Sequence, residues 1–283
     1  NQTTCVIEMA SASGITLLHK NERNPRIASS FGTGQLIKYA LDQGFRDFII
    51  CIGGSATNDA GIGMLRALGL RLVDELGQDV QKSIDGLFDI KRLDFSNWDP
   101  RLAESKISIA CDVDNPLVGE KGASAVFGPQ KGVQEDEVEY FDQALTYFAD
   151  IVEKEKGIRL HEFKGAGAAG GMGGALIAFL GGEFHQGIHL VLEVMKYKEK
   201  IQGADYVFTG EGKSDRQTLH GKAPFGVLQC AKEYEIPTVL LSGCIDEEDQ
   251  QLLAEYFQAI YSVVGEAVST EQAMSEASNC LTQ

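Results

Sequence analysis

The residues best suited to chemistry lie in polar, glycine-containing segments that follow apolar runs. The first such segment follows the apolar residues 48–52 and precedes a helix pattern, and it contains Gly53, Gly54, Ser55, Thr57, Asn58 and Asp59. A glycine loop that enters a helix presents unpaired backbone N–H groups, so it suits a phosphate or a carboxylate. An ordinary strand-to-helix turn, capped by Asn58 or Asp59, explains the same residues without a ligand.

Two carboxylates follow the apolar residues 107–111. If the strand continues this far, its alternation places Asp112 and Asp114 on one face, close enough to share a cation. The carboxyl ends of strands in open α/β sheets are also where ligands lie. The alternative is a turn before Pro116 with solvated carboxylates.

Positive charge is scarce in this chain. The formal charge is −16 and the pI is near 4.7, and no basic block is present, which argues against a nucleic-acid partner. An anionic substrate must therefore be held locally. Four basic residues stand in glycine-containing segments that we interpret as loops: Lys131, Lys213, Arg216 and Lys222.

Two glycine motifs resemble nucleotide-binding signatures but fail their structural requirements. Residues 165–170 read Gly-x-Gly-x-x-Gly, yet a poor strand precedes them, so the dinucleotide fingerprint is rejected. Gly167 and Gly170 instead indicate either a flexible loop that approaches a ligand or close helix packing. A Walker A loop at Lys213 would need glycine five positions before Gly212, where Val207 stands.

The elements that position these segments follow an α/β pattern. Strands are predicted at residues 5–9, 48–52, 70–73, 107–111, 205–209, 238–241 and 259–264, and helices at 36–41, 62–68, 135–156, 175–180, 224–234, 247–257 and from 270. We place the domain boundary at 202/203. A length of 283 residues accommodates two domains.

Together, the glycine loops, the basic residues and the paired carboxylates favour an enzyme that handles phosphate. Phosphoryl transfer needs backbone donors, basic side chains and carboxylates for magnesium. The sequence contains no Gly-x-Ser-x-Gly elbow, which argues against a hydrolase. The six cysteines and five histidines show no metal-ligand spacing. No apolar run approaches the roughly 18 residues of a membrane helix, and no secretory signal opens the chain. We therefore expect a cytoplasmic protein without a membrane partner.

Four long motifs resemble those of the bacterial type I glycerate kinases, in the order of that family. They span residues 53–69, 111–132, 165–176 and 209–227. The resemblance implies ATP-dependent phosphorylation of D-glycerate to 2-phosphoglycerate, with 3-phosphoglycerate as the alternative product. It also implies two α/β domains: a larger middle domain, residues 1–202, and the C-terminal part of a Rossmann-like three-layer domain, residues 203–283.

Roles follow from the matching motifs. The residues assigned to catalysis are Asp215, Glu211 and Lys222. Those assigned to substrate or phosphate binding are Gly53, Gly54, Ser55, Asn58, Asp59, Gln130, Lys131, Gly167, Gly170, Lys213 and Arg216. Asp112 and Asp114 are assigned to Mg²⁺. The resemblance makes D-glycerate and ATP the partners and leaves a homodimer open.

The chain departs from the family at its start. Family members begin with a strand and a Pro-Asp-Ser-Phe-Lys-Gly-Ser-like loop, and no such motif occurs in this sequence. We therefore expect the C-terminal sheet of this chain to have an unpaired strand edge. A protein that binds a sugar acid or phosphate without turnover, on a truncated kinase scaffold, is the alternative function.

Overall fold

The computed structural model describes residues 4–264 and 269–280. The chain divides into two compact units, Asn1–His185 and Gln186–Gln283. Residues 186–202, which the sequence assigned to the first domain, belong to the second unit because Leu192 and Ile201 share a buried cluster with Val207. The domain assignment of an inserted middle domain and a Rossmann-like remainder stays a prediction.

The first unit alternates strands and helices. Its described strands are β1 (Thr4–Glu8), β2 (Asp47–Cys51), β3 (Arg71–Val73), β4 (Arg92–Asp94), β5 (Lys106–Ala110) and β6 (Glu183–His185). Its described helices are α1 (Ala10–Ser13), α2 (Phe31–Asp42), α3 (Ile62–Ala67), α4 (Ala123–Lys131), α5 (Val138–Lys156) and α6 (Met172–Leu180). Short 3₁₀ turns connect several of them.

The main sheet of this unit is parallel, in the order β1-β2-β5-β6. Strand β2 lies between β1 and β5. Phe48 and Ile50 on one face are 0% exposed and Ile49 on the other is 7% exposed, as expected for an apolar run covered on both faces. The carboxyl ends of β1 and β2 lie side by side, and the following loops pair through Gly14 and Ser55. This edge of the sheet therefore carries the first polar glycine loop.

Helix α5 supplies much of the core. Its stripe of Phe141, Leu145, Phe148 and Val152 is buried, and the helix ends at Gly157, where φ is +70°. Glycine suits that left-handed position because it has no side chain to clash. The longest predicted helix is thus confirmed, with residues 135–137 forming a 3₁₀ turn before it.

The second unit contains the strands β7 (Val207–Ser214), β8 (Thr238–Ile245) and β9 (Ala259–Ser262). Its described helices are α7 (Gly187–Val194), α8 (Tyr197–Lys200), α9 (Ala223–Lys232), α10 (Glu247–Ala254), α11 (Thr270–Ser275) and α12 (Ala277–Cys280). The strands form a parallel sheet in this order. Within the described residues β7 pairs on one side only, and Tyr206 and Phe208 beside its open edge are more than half exposed.

The α/β class is confirmed, and three local predictions are corrected. Residues 123–131 form helix α4, where the sequence predicts a loop around Lys131; Pro129 stands in the last turn, ahead of the left-handed Gly132. Strand β7 continues to Ser214, five residues beyond its predicted end. Strand β5 stops at Ala110, before the two aspartates. In the described part of the chain, no helix is long and apolar enough to cross a membrane.

Candidate functional site

The loop between β2 and α3 is organised around a buried carboxylate. Asp59 is 3% exposed and accepts hydrogen bonds from Ser30 N at 2.9 Å, Ser30 Oγ at 2.8 Å, Gly61 N at 3.1 Å and Gly63 N at 3.3 Å. Burial raises the pKa of Asp59, and these hydrogen bonds oppose that rise. Gly61 N and Gly63 N, at the start of α3 and expected to be unpaired, are thus bonded to a side chain of the loop itself, and Met64 N donates to Ser30 Oγ.

Helix α4 supports the same loop through two polar contacts. Lys131 Nζ donates to the carbonyl oxygen of Thr57 at 2.7 Å, and Asn58 Nδ2 donates to Ser124 Oγ at 3.0 Å. Lys131 is only 2% exposed, and burial lowers its pKa to about 7. Thr57 Oγ1 and Asn58 Oδ1 are buried and have no hydrogen-bond partner among the described residues. Lys131 therefore lies inside the unit, and not in the exposed loop that the sequence suggested.

The exposed part of this loop is its beginning. Gly53 and Gly54 are exposed, and a Cβ atom placed on Gly53 would meet no atom within 4 Å. Gly54 has φ of +70°, and its carbonyl accepts a hydrogen bond from Ile15 N at 2.8 Å. Ser55 is buried. Of the predicted binding residues in this loop, the two glycines are the ones that a ligand in solution can reach.

The glycine-rich segment before α6 packs against backbone. A Cβ atom on Gly170 would overlap the carbonyl oxygen of Thr57, and one on Gly167 would overlap that of Pro116. Gly170 also has φ of +70°. The close backbone approach expected here is therefore made to the neighbouring loops of the same unit, which supports the packing alternative for these glycines.

Three further predicted site residues of the first unit are exposed: Asp112, Asp114 and Gln130. Asp112 and Asp114 lie in irregular backbone after Ala110, so strand alternation does not align their side chains. Gln130 is exposed on α4, and its carbonyl accepts a hydrogen bond from the Arg23 guanidinium at 3.2 Å. Their assignments to metal and substrate stay predictions.

In the second unit, the end of β7 gathers the three residues assigned to catalysis. Lys222 Nζ lies 3.6 Å from Glu211 Oε2 and 3.4 Å from Asp215 Oδ1. Glu211 Oε1 accepts hydrogen bonds from Thr218 Oγ1 at 2.6 Å and Ser214 Oγ at 3.0 Å. The side chains of Glu211, Asp215 and Lys222 are 18%, 21% and 35% exposed. The structure thus brings two carboxylates and one ammonium together at the surface.

Local backbone geometry positions Asp215. It directly follows β7 and caps the next 3₁₀ turn, because Asp215 Oδ1 accepts a hydrogen bond from Gln217 N at 2.8 Å. In return Thr218 Oγ1 accepts a bond from Asp215 N at 3.1 Å. The turn holds the carboxylate beside Lys222.

The other two predicted cations of this unit are engaged elsewhere. Lys213 Nζ lies 3.0 Å from Asp246 Oδ1. Arg216 binds Asp249 through Nε at 3.0 Å, Nη2 at 2.8 Å and its backbone N at 2.8 Å. Hydrogen bonds from Arg216 lower the pKa of Asp249. Each of these cations therefore has a direct carboxylate partner other than Asp215, while Asp215 still acts on both as a nearby negative charge.

A cleft of about 420 Å³ adjoins this cluster. Its lining residues include Thr209, Gly210, Glu211, Gly212, Ser242 and Gly243. Of the glycines that line it, Gly212 has open space where a side chain would stand, since an added Cβ atom would meet no atom within 4 Å. Glu211 belongs to both the cleft and the cluster. Ser242, which the sequence analysis missed, hydrogen-bonds Ser214 at 2.6 Å between their hydroxyl oxygens. No local signal marks Ser242, because strand pairing alone brings it to Glu211.

Parallel α/β units that gather two carboxylates and a lysine near the end of β7 define an α/β protein, with ionisable groups of the kinds that phosphoryl transfer uses. The profile described as "Glycerate kinase family" matches residues 1–283. A glycerate kinase from Halalkalibacterium halodurans is 45% identical over 278 residues, which cover 98% of this chain and 73% of that relative. The chain belongs to the glycerate kinase family, and the resemblance of its motifs is confirmed.

Two further similarities agree with this family membership. The glycerate 2-kinase of Escherichia coli is 43% identical over 261 residues, which cover 92% of this chain and 68% of that protein. The crystal structure of a glycerate kinase 2 from Salmonella typhimurium LT2 superimposes with a TM-score of 0.84 at 42% identity, covering 98% of this chain and 71% of the other.

Proposed function

We propose that this enzyme transfers the γ-phosphoryl group of ATP to the 2-hydroxyl of D-glycerate, giving 2-phosphoglycerate. Family membership and the names of the relatives support the substrate. The name of the Escherichia coli relative, glycerate 2-kinase, supports the 2-hydroxyl. Transfer to the 3-hydroxyl is the alternative.

The observation that carries the proposal is the cluster of Glu211, Asp215 and Lys222. Glu211 uses both carboxylate oxygens within the cluster, whereas the contacts of Asp215 involve Oδ1. Asp215 Oδ2 is therefore the oxygen suited to accept the proton of an attacking hydroxyl. Lys222 is the cation suited to stabilise negative charge on the transferred phosphoryl group. Glu211 orients Lys222.

We assign the ligand-binding roles to groups that are exposed to solvent. Gly53 and Gly54 offer accessible backbone to an anionic ligand, and Lys213, 58% exposed, can exchange Asp246 for a phosphate. The donor set of Asp112 and Asp114 fits Mg²⁺, because both side chains are exposed carboxylates and Mg²⁺ prefers oxygen ligands. Bound there, Mg²⁺ would neutralise charge on the phosphate oxygens of ATP.

The test is release of ADP from MgATP, with and without D-glycerate, by the purified protein. Dependence of ADP release on D-glycerate supports the kinase. Saturable binding of D-glycerate without ADP release would favour the non-catalytic binding protein instead. Proton-coupled ³¹P NMR of the product then distinguishes the hydroxyls, since a 2-phosphate couples to one proton and gives a doublet, while a 3-phosphate couples to two and gives a triplet.

A further inference from the structure

Three potential metal ligands converge where α5 ends, in the unit that does not contain the residues assigned to catalysis. Asp150 and Glu153 are three residues apart on one face of α5, and His161 follows the glycine that ends the helix. One potential ligand atom from each of the three lies within 4.8 Å of the others. His161 is 8% exposed.

The two ring nitrogens of His161 have different surroundings. Nε2 lies 2.9 Å from Asp150 Oδ1, an ordinary hydrogen-bond distance. Nδ1 is buried and has no hydrogen-bond partner among the described residues, and Glu153 Oε2 lies 3.8 Å from it. That separation is too long for a hydrogen bond. Two ligand atoms bound tetrahedrally to one Zn²⁺, each about 2.0–2.1 Å from the ion, lie about 3.4 Å apart. A small movement of the Glu153 side chain, which is 40% exposed, would therefore let both atoms bind one ion.

We propose that His161 Nδ1 and Glu153 bind a divalent transition-metal ion of the zinc type, with water completing the coordination. Asp150 is a positioning residue: it accepts the Nε2 hydrogen and so directs the Nδ1 lone pair toward the ion. A mixed nitrogen and oxygen donor set suits Zn²⁺ better than Mg²⁺ or Ca²⁺, which prefer oxygen ligands alone.

The ion must compete with one cation of the protein. Arg159 Nη1 lies 3.0 Å from Glu153 Oε2, and the two side chains are 60% and 40% exposed. An exposed pair of this kind contributes little stability, so replacing it with a metal bond costs little.

The bound ion would tie the segment after α5 to the helix. The carbonyl of His161 accepts hydrogen bonds from Leu117 N at 3.1 Å and Val118 N at 3.4 Å. Through these bonds the ion would also hold the loop that follows Asp114. We therefore assign it a structural role and not a part in phosphoryl transfer.

Isothermal titration of the purified, metal-free full chain with Zn²⁺ tests the site. We expect one saturable site in the wild type, loss of that site in Glu153→Gln and His161→Asn, and about 10–100-fold weaker binding in Asp150→Asn. Glu155→Gln, on the exposed side of the same helix, is the matched control and should bind Zn²⁺ like the wild type. Arg159→Gln should bind at least as tightly, since it removes the competing cation.

Thermal unfolding with and without Zn²⁺ provides the second readout, because an ion that binds only the folded state raises the midpoint. The rise should occur in the wild type and be absent in Glu153→Gln. Absence of a saturable site in the wild type, or wild-type affinity in Glu153→Gln, would overturn the proposal. Glu153 is half-exposed, so this variant decides the matter even if His161→Asn fails to fold.

Discussion

Lys131 Nζ lies 2.7 Å from the carbonyl oxygen of Thr57 and donates a hydrogen bond to it inside the first unit. The lysine is 2% exposed, and burial lowers its pKa to about 7. The contact joins the last turn of α4 to the loop that follows β2. Because the lysine titrates near neutral pH, the stability of this arrangement depends on pH.

The first prediction concerns the variant Lys131→Met. In the unfolded chain a lysine titrates near pH 10.4, so between about pH 7 and 10 the unfolded state binds more protons here than the folded state does. The free energy of unfolding of the wild type relative to the variant should therefore rise with pH in this window, by at most about 1.4 kcal/mol per unit. Below pH 7 the difference should level off.

Urea unfolding of both proteins at pH 7, 8 and 9 measures this slope. The lost hydrogen bond and the change in side-chain shape add an offset that does not vary with pH, so the slope reports the proton alone. A difference that stays constant from pH 7 to 9 would show that Lys131 keeps an ordinary pKa.

The second prediction is that Asp215→Asn lowers kcat by about 10²-fold or more, as expected when a general base is removed. Asparagine caps a turn as well as aspartate does, so the hydrogen bond from Gln217 N should persist. Steady-state ADP release gives kcat, and circular dichroism checks the fold. Glu233→Gln, which breaks the exposed pair with Lys198, is the control. A folded Asp215→Asn enzyme with normal turnover would remove Asp215 from the mechanism.

Much of the fold could be predicted because its signals are local. The apolar run at Phe48 and the stripe on α5 report burial directly, and Gly157 marks a helix end that needs a left-handed residue. The three catalytic assignments also meet in space, since Glu211, Asp215 and Lys222 are close along the chain and one strand end and turn hold them.

The side-chain contacts that the sequence did not predict involve partners that are distant along the chain. Arg216 was expected near a phosphate, but α10 supplies Asp249 as its partner. Lys131 seemed to belong to a loop because Gly128 and Pro129 precede it, yet helix packing outweighs those local preferences and buries the lysine. No residue pattern within either segment specifies these contacts.

The third prediction uses the contact between Arg216 and Asp249. Asp249 is 5% exposed, and removing its charge in Asp249→Asn weakens three hydrogen bonds from Arg216, so the midpoint of thermal unfolding should fall at pH 7. The pKa of Asp249 is lowered mainly by these bonds. The stabilisation is therefore present above the unfolded pKa of about 3.9 and is lost as the pH falls through the lower folded value.

Melting curves at pH 7 and pH 3 test this dependence, and the difference between wild type and variant should shrink at pH 3. Glu248→Gln, an exposed neighbour on α10, is the control and should change the midpoint little. A midpoint difference of equal size at both pH values would mean that the charge of Asp249 is not what stabilises the folded state.

The fourth prediction concerns magnesium. If Asp112 and Asp114 bind Mg²⁺, the variants Asp112→Asn and Asp114→Asn should require higher Mg²⁺ concentrations for half-maximal activity, because an amide is a weaker ligand than a carboxylate. Activity is measured over a range of Mg²⁺ at fixed ATP. Glu120→Gln, also exposed and nearby in the chain, is the control. An unchanged Mg²⁺ requirement in both aspartate variants would reduce the pair to a solvated turn.

The fifth prediction tests whether Gly170 is required only for its positive φ or also because a side chain there would clash with the neighbouring loop. Gly170 and Gly181 both have positive φ, +70° and +65°, so alanine at either position carries the cost of a left-handed conformation, about 1–2 kcal/mol. Only at Gly170 does the added Cβ atom also meet the neighbouring loop, overlapping the carbonyl oxygen of Thr57 and lying 2.6 Å from Asn58 Cα. At Gly181 no atom lies within 4 Å of it.

Gly170→Ala should therefore lower the free energy of unfolding by clearly more than Gly181→Ala, as urea titrations of the two variants will measure. It should also reduce glycerate-dependent ADP release at temperatures where the variant is folded, because the displaced backbone at Thr57 and Asn58 leads directly into the loop whose exposed end is Gly53 and Gly54. Equal losses of stability in the two variants would mean that Gly170 is required only for its positive φ and that the segment before α6 does not support the loop.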